Sequence, residues 1–161
     1  MKRRFLLTLA ATALPLAVWA QMPPEPTKAQ PELPKEKLVI VTHDGKQHPF
    51  NVEMATTPEQ QQTGEMFRKN VPEDSGMLFV WPMVQESSMW MKNTLVPLDM
   101  VFINPDGKIR SIVENTTPRS LAVISSGGPV KATLELAGGV TAKLDIRVGD
   151  TVKAKVFGNA P

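Results

Sequence analysis

The chain has 161 residues, with 18 basic and 16 acidic side chains and no cysteine. The absence of cysteine excludes disulfide bonds, a thiol nucleophile and lipid attachment at an N-terminal cysteine. Loss of Lys2, Arg3 and Arg4 with the leader described next would leave 15 basic against 16 acidic side chains, a net charge of about −1. Because no lysine and arginine cluster then remains to neutralise a row of phosphates, nucleic acid is not an expected partner.

The first 20 residues have the three-part order of a cleavable secretory signal. Basic residues 2–4 precede an apolar run at 5–19, and Val18-Trp19-Ala20 provides a cleavage site. The apolar run is shorter than the roughly 20 residues that a helix needs to span a bilayer. We therefore expect cleavage after Ala20 and a periplasmic or secreted product with no transmembrane segment. An uncleaved membrane anchor is the alternative.

Residues 21–37 follow the leader and hold five prolines, at positions 23, 24, 26, 31 and 34. A proline-rich segment with few apolar side chains favours an extended, solvated chain, so this stretch is predicted to be a disordered tether. Residues 38–161 are then long enough for a single folded domain.

Several segments of the domain have the pattern of β-strands. Residues 50–54, 131–136 and 152–156 alternate apolar and polar side chains, as half-buried strands do. Residues 77–80 and 100–103 are apolar without a break, which is typical of strands covered on both faces. These two are expected to be central.

Turn and helix signals complete the pattern. Asp44-Gly45 and Asp106-Gly107 lie between strand-like segments and are predicted to be hairpin turns. Thr57-Pro58-Glu59-Gln60 has the capping-box order with proline at the first helical position, which predicts a short helix running to about Phe67. The prediction is a mainly β fold, a compact sandwich of the jelly-roll kind or a small barrel, with one short helix.

Five motifs occur in order along residues 38–156. They read GEMFRKN at 64–70, GMLFVW at 76–81, SSMWMKNTLVPLDMVFI at 87–103, LELAGG at 134–139 and VGD at 148–150. In these motifs, and above all in WMKNT followed by PLD, the chain resembles the family catalogued as domain of unknown function 192, small bacterial and archaeal proteins that often carry an export signal. The resemblance implies a compact β-sandwich similar to jelly rolls, and no established activity.

The resemblance also marks positions at which polar or aromatic residues recur. In this sequence they fall on Arg68, Trp90, Lys92, Asn93, Thr94, Asp99 and Glu135. The chain departs from the family pattern at Glu65, where leucine is usual, and at Met89, where an aromatic residue is common.

Two interpretations of these residues remain open. Asn93, Thr94 and Asp99 either brace a loop through side-chain to backbone hydrogen bonds or provide donors and acceptors for a ligand. Arg68 could form a buried ion pair with Asp99 or with Glu135. In the ligand-binding interpretation, Trp90 and Lys92 share a strand face beside Asn93 and Asp99.

Metal binding has two weaker candidates. Met89 and Met91 are two residues apart, with Met66 and Met77 as further thioethers, and soft sulfur ligands suit Cu(I). His43 and His48 flank a predicted turn, but two ligands are fewer than the three or four of zinc sites.

The sequence carries few signs of catalysis. It has no GxSxG elbow and no HExxH helix, and Asp99 with Glu135 could form the carboxylate pair of a glycosidase only if the fold brings them to the right spacing. The preferred hypothesis is a non-enzymatic exported β domain without a cofactor. It would bind a small molecule, a glycan or an envelope protein through the region from Trp90 to Asp99. The alternatives are a small hydrolase acting on envelope polysaccharide and a methionine-based Cu(I) carrier.

Overall fold

The computed structural model of the protein describes residues 24–160. The fold is a single curled sheet of seven strands in the order β5-β4-β6-β3-β2-β1-β7. The strands are β1 (Lys35–Val41), β2 (Gln47–Ala55), β3 (Ser75–Met89), β4 (Leu98–Ile103), β5 (Ile109–Val113), β6 (Ile124–Ala137) and β7 (Thr151–Lys153). The helices are α1 (Pro58–Thr63), α2 (Val140–Lys143) and the 3₁₀ turn Lys155–Phe157.

Neighbouring strands are antiparallel except for β2 and β3, which are parallel. A parallel pair needs a crossover connection, and the 19 residues between β2 and β3 provide it and carry α1. At the two ends of the sheet, Lys108 beside β5 forms an antiparallel bridge to Thr151 of β7. The sheet therefore curls until its edges meet, which confirms the mainly β prediction and selects its barrel-like form.

The curled sheet has an apolar core on each face. The inner core draws side chains from all seven strands, including Val101 and Ile103 of β4. The outer core lies on the opposite face of β3, β4 and β6 and includes Met100 and Phe102. Every residue of β4 is buried, because alternate side chains enter different cores. The unbroken apolar run at 100–103 correctly predicted this double coverage.

Local signals predicted the start of α1 and both hairpins. Thr57 and Gln60 form the reciprocal capping box, and Pro58 is the first helical residue. The helix ends at Thr63, earlier than predicted, because Gly64 and then Phe67 take positive φ angles. Tight turns at positions 44–45 and 106–107 join β1 to β2 and β4 to β5.

The structure differs from the sequence-based boundaries at both ends of the domain. The strand β1 begins at Lys35, three residues before the predicted start of the domain, and Pro34 accepts a backbone hydrogen bond from Met54. The predicted strand at 152–156 ends at Lys153, where Asn159 bonds to both Val152 and Ala154 and the backbone turns. The predicted signal at 1–20 lies outside the described residues. Between residues 24 and 160, no helix is long and apolar enough to cross a membrane.

Candidate functional site

A cavity of about 320 Å³ opens between α1, the segment that follows it and the outer face of the sheet. Gln61 fixes α1 over this face by donating its side-chain amide to the backbone oxygens of Ala55 and Val80, at 3.1 and 2.9 Å. The residues that line the cavity are Pro58, Gln61, Gln62, Thr63, Gly64, Glu65, Met66, Phe79, Trp81, Ser88, Met89, Trp90, Thr94 and Glu135. Its walls thus combine aromatic and aliphatic side chains with neutral polar ones and two carboxyl groups.

Glu135 lies in the middle of β6, on the face that carries the outer core. Glu135 is paired with Met77 of β3 and Met100 of β4, and it is only 4% exposed. The Oε2 atom has no hydrogen-bond partner within residues 24–160. Burial raises the pKa of Glu135 well above its ordinary value, the charge of Glu65 raises it further, and Arg68 opposes the shift. Burial therefore favours the neutral form of the Glu135 carboxyl group over the carboxylate.

Gly64 brings the α1 segment directly over that carboxyl group. Its φ angle is +47°, and a Cβ atom placed on it would lie 2.9 Å from Cζ of Phe79 and 3.8 Å from Oε2 of Glu135. Because Gly64 has no side chain, the backbone can pass close to Glu135. The next residue, Glu65, lines the same cavity.

Glu65 is the second cavity carboxyl and is 3% exposed. Burial raises its pKa to about 7; Arg68 opposes this shift and Glu53 adds to it. Nε of Arg68 lies 3.1 Å from Oε2 of Glu65, within ion-pair distance, yet this oxygen accepts no hydrogen bond from any residue that the structure describes. Two carboxyl oxygens of the cavity therefore accept no hydrogen bond from the part of the chain that the structure describes.

The fork of Arg68 is engaged elsewhere. Its Nη1 and Nη2 atoms donate to the two carboxylate oxygens of Glu53, at 2.5 and 2.8 Å, and Leu33 N donates to the same carboxylate at 2.7 Å. Burial alone would raise the pKa of Glu53, but these hydrogen bonds and the charge of Arg68 leave it below its ordinary value. The predicted ion pair of Arg68 with Asp99 or Glu135 was wrong in its partner, because the parallel β2–β3 pairing places Glu53 beside the α1 segment.

Two tryptophans lie at the cavity. Trp90 is 46% exposed, and Nζ of Lys92 lies 5.2 Å from the centre of its ring. Lys92 also pairs with Glu25. Trp81 is more enclosed, tilts against Phe79 with ring centres 6.1 Å apart, and donates from Nε1 to Thr133 at 3.3 Å. The Trp81 ring is thus fixed inside the cavity, and the Trp90 ring borders solvent.

Of the seven residues predicted from the sequence, Trp90, Thr94 and Glu135 line the cavity. Asn93 occupies a turn with φ of +57°, and its backbone oxygen accepts from Phe67 N at 2.9 Å. Thr94 is buried in the same turn, where its N–H donates to Met91 O at 3.0 Å. These contacts place Asn93 in the role of joining the loop after β3 to the segment after α1.

Asp99 faces away from the cavity. It is opposite Leu136 of the inner core, whereas Glu135, one position earlier on β6, points to the outer face. Its carboxylate accepts four hydrogen bonds of 2.7–2.9 Å, from the N–H groups of Asn115, Gly139 and Thr141 and from the Thr141 hydroxyl. The bracing interpretation therefore describes Asp99, and the proposed carboxylate pair of Asp99 with Glu135 does not form.

The metal hypotheses gain no convergent set of ligands. The sulfurs of Met66, Met77 and Met91 accept from three separate donors, the side chains of Asn93, Gln30 and Thr116. His43 lies 3.9 and 3.8 Å from Asp145 and Asp150, and His48 borders a different cavity. In residues 24–160 no group of three or more histidine, aspartate or glutamate side chains is placed to hold a metal ion.

Sequence reasoning missed Glu65 and Trp81. Both lie in motifs that read as apolar strand or helix, GEMF and LFVW, so neither looked like part of a site. The signal that could have found Glu65 is a charged residue between the apolar positions of a short predicted helix, where burial requires a reason.

Comparison with known proteins finds an uncharacterised family and two similar solved structures. Residues 39–154 match the model of the DUF192 family, described as "Uncharacterized ACR". A solved structure from Sinorhizobium meliloti 1021, described as a candidate transcription regulator, is 40% identical, with a TM-score of 0.77 over 80% of this chain and 99% of that one. A protein of unknown function from Novosphingobium aromaticivorans DSM 12444 is 33% identical, with a TM-score of 0.73 over 76% and 86% of the two chains. No curated protein matches.

Proposed function

The chain belongs to the DUF192 family, and from this premise and the geometry of its cavity we propose that it is a binding module for a small molecule or a terminal glycan unit. The observation that carries the proposal is Oε2 of Glu135, a buried carboxyl oxygen that lies at the cavity and has no hydrogen-bond partner among residues 24–160. Buried polar atoms without partners are rare in folded proteins, and a ligand that supplies the hydrogen bond accounts for this one.

The aromatic walls support the same function. Trp90 offers a large, half-exposed ring at the mouth, and Trp81 and Phe79 continue the apolar lining inward. Ligand sites combine such surfaces with a few polar groups that fix orientation. A volume of about 320 Å³ is at the small end of ligand cavities and suits a single small molecule or one sugar unit.

Intrinsic fluorescence tests the proposal directly, because two of the three tryptophans line the cavity. The full chain carrying Trp19→Phe retains Trp81 and Trp90 as reporters. We expect members of a library of small metabolites and mono- and disaccharides to change this emission and to raise the melting temperature. Trp90→Ala should weaken binding by about tenfold or more.

Val148→Ala is the matched control, since it also shortens an exposed apolar side chain but lies outside the cavity lining. Equal affinity in the Trp90 and Val148 variants would place the binding elsewhere. A library in which no compound changes emission or melting temperature would contradict the proposal.

Glycoside hydrolases also use two carboxyl groups in one cavity. Glu65, with a pKa of about 7, would suit the role of general acid in such a reaction. The same titrations are therefore followed by mass analysis of the ligand. Recovery of intact ligand supports binding without turnover, and cleavage of a glycosidic bond supports the hydrolase.

We also propose that the protein acts outside the cytoplasm, because residues 1–20 have the order of a cleavable signal. N-terminal sequencing of the native protein should begin at Gln21, in a periplasmic or secreted fraction. An intact Met1 in the membrane fraction would favour the uncleaved anchor.

A further inference from the structure

The charge balance of the cavity sets the class of its ligand. Glu65 and Glu135 contribute two carboxyl groups, and Arg68 is the cation among the described residues whose charge acts on both. The fork of Arg68 is occupied by Glu53, and only its Nε approaches Glu65. The cavity thus has more acidic groups than the described residues neutralise, and the excess lies in the interior.

The two carboxyl oxygens without hydrogen-bond partners among the described residues indicate which groups the ligand must supply. Oε2 of Glu135 and Oε2 of Glu65 are buried and accept no hydrogen bond within the described chain. Both lack donors, and a carboxylate gains most from a donor that also carries positive charge. An ammonium group with several N–H bonds provides donors and charge together, whereas a hydroxyl provides one donor and no charge.

The walls suit the rest of such a ligand. The faces of aromatic rings attract cations, and Trp90 already holds the ammonium of Lys92 at 5.2 Å from its ring centre. Trp81, Phe79, Met66 and Met89 supply further apolar and polarizable surface in the same cavity. This lining would enclose a short aliphatic or ring skeleton beside the charged nitrogen.

We propose that the ligand is a small organic cation with an ammonium group, which donates to Glu135 and Glu65 while its carbon skeleton packs against Trp81 and Trp90. The inference rests on the proposed function, since it names the ligand class of that same cavity. A bound cation favours the ionised form of both carboxyl groups, so the protons that they hold are released as the ligand binds.

The proton release has a defined pH dependence. Below the pKa of Glu65, about 7, binding must displace a proton and is weakened; as pH rises, affinity increases. Arg68 and Glu53 act on Glu65, and Glu65 and Arg68 act on Glu135. Glu32 in turn acts on Arg68. An alkylammonium ion keeps its charge throughout this range, so the dependence reports the protein.

The test compares n-butylammonium with 1-butanol, which has a similar skeleton and no charge, and with D-glucose as a neutral hydroxylated probe. Titrations of the full chain carrying Trp19→Phe are run at constant ionic strength. We expect n-butylammonium to bind at least about tenfold more tightly than 1-butanol, with affinity rising from pH 5 to pH 8. Calorimetry in two buffers of different ionisation enthalpy should detect the released proton.

Glu135→Gln keeps the size of the side chain and removes its ability to ionise, so it should abolish the preference for the cation and the proton release. Glu65→Gln is a second variant with the same expectation in weaker form. Glu73→Gln makes the same chemical change at an exposed ion pair with Lys143 and should behave as wild type. Circular dichroism checks that each variant is folded before titration.

The outcomes separate this inference from the proposed function. Tighter binding of D-glucose or 1-butanol than of n-butylammonium would overturn the cation class and leave a binding module for neutral ligands. Failure of all three probes would also overturn it, while the metabolite and saccharide library decides separately whether the cavity binds anything. A cation preference retained in Glu135→Gln would contradict the assignment, because another group would then recognise the positive charge of the ligand.

Discussion

Asp99 and Glu135 are buried carboxyl groups on adjacent strands, but they face opposite sides of the sheet and differ in what surrounds them. Asp99 accepts four hydrogen bonds from the loop after β5 and the α2 turn, whereas Oε2 of Glu135 has no donor among the residues described. The first arrangement stabilises the fold, because each donor depends on the carboxylate. The second arrangement costs stability, and it leaves a carboxyl oxygen to which a ligand can bind. Hydrogen-bond partners, rather than burial alone, thus distinguish a structural acid from a site acid.

Asp99→Ala should produce the largest loss of stability. It leaves the N–H groups of Asn115, Gly139 and Thr141 without their acceptor, and we expect the free energy of unfolding to fall by about 3–5 kcal/mol. Urea denaturation measures it. Asp99→Asn, which keeps one acceptor oxygen, should be milder. A loss below about 1 kcal/mol for the alanine variant would contradict the structural role.

Whereas Asp99 stabilises the fold, the cavity acid Glu65 should make the protein less stable as pH rises. Since the pKa of Glu65 is about 7 when folded and near 4.5 otherwise, the folded state holds the proton more tightly, and stability falls as pH rises through this window. The expected fall from Glu65 is up to about 3 kcal/mol. Denaturation of Glu65→Gln between pH 4.5 and 7 should show a flatter profile.

Glu73→Gln is the control for this profile and should retain the slope of the wild type, because Glu73 is exposed. The lowered pKa of Glu53 acts in the other direction, so its contribution is lost only at more acidic pH. An unchanged profile in Glu65→Gln would show that Glu65 does not carry the shifted pKa.

Glu135→Gln should have a small or stabilising effect at pH 7. Burial raises the pKa of Glu135 and favours its neutral form, and no described residue forms an ion pair with it, so the amide breaks no ion pair. Urea denaturation should place the variant within about 1 kcal/mol of wild type or above it. A loss comparable to that of Asp99→Ala would make Glu135 a structural acid as well.

Asn93→Gly should have the smallest effect, within about 0.5 kcal/mol, because glycine readily adopts the positive φ found at this position. Asn93→Ala should cost about 1 kcal/mol, since alanine adopts that backbone with strain. Thermal melting of both variants compares them. Equal losses would mean that the amide side chain matters more than the backbone angle.

The sequence predicted features whose causes are local. The Thr57 capping box, the turn at Asp44-Gly45 and the full burial of residues 100–103 depend on neighbouring residues or on strand alternation, and the structure confirms all three. The candidate site depended on long-range register instead. Glu135 was named correctly but paired with Asp99, because only the alignment of Asp99 with Leu136 shows that the two acids face apart.

The partners of Arg68 could not be predicted for a related reason. Glu53 approaches Arg68 because β2 and β3 run parallel, and no local pattern in the sequence indicated a single parallel pair in an otherwise antiparallel sheet. Glu65 lay within the predicted helix and stood out only as a departure from the leucine usual in the family, and its burial became evident once the structure ended that helix at Thr63.

The pairing of β1 with β7 has a consequence for the order of folding. The first strand of the sheet bonds to the last through Val39–Lys153, Ile40–Val152 and Val41–Thr151. During synthesis from the N-terminus, β1 therefore remains an open edge until nearly the whole chain has emerged, and closure of the barrel must be a late step. An open strand edge invites pairing with other chains. A ribosome-bound or prematurely terminated product lacking β7 should therefore be the most aggregation-prone form of this protein.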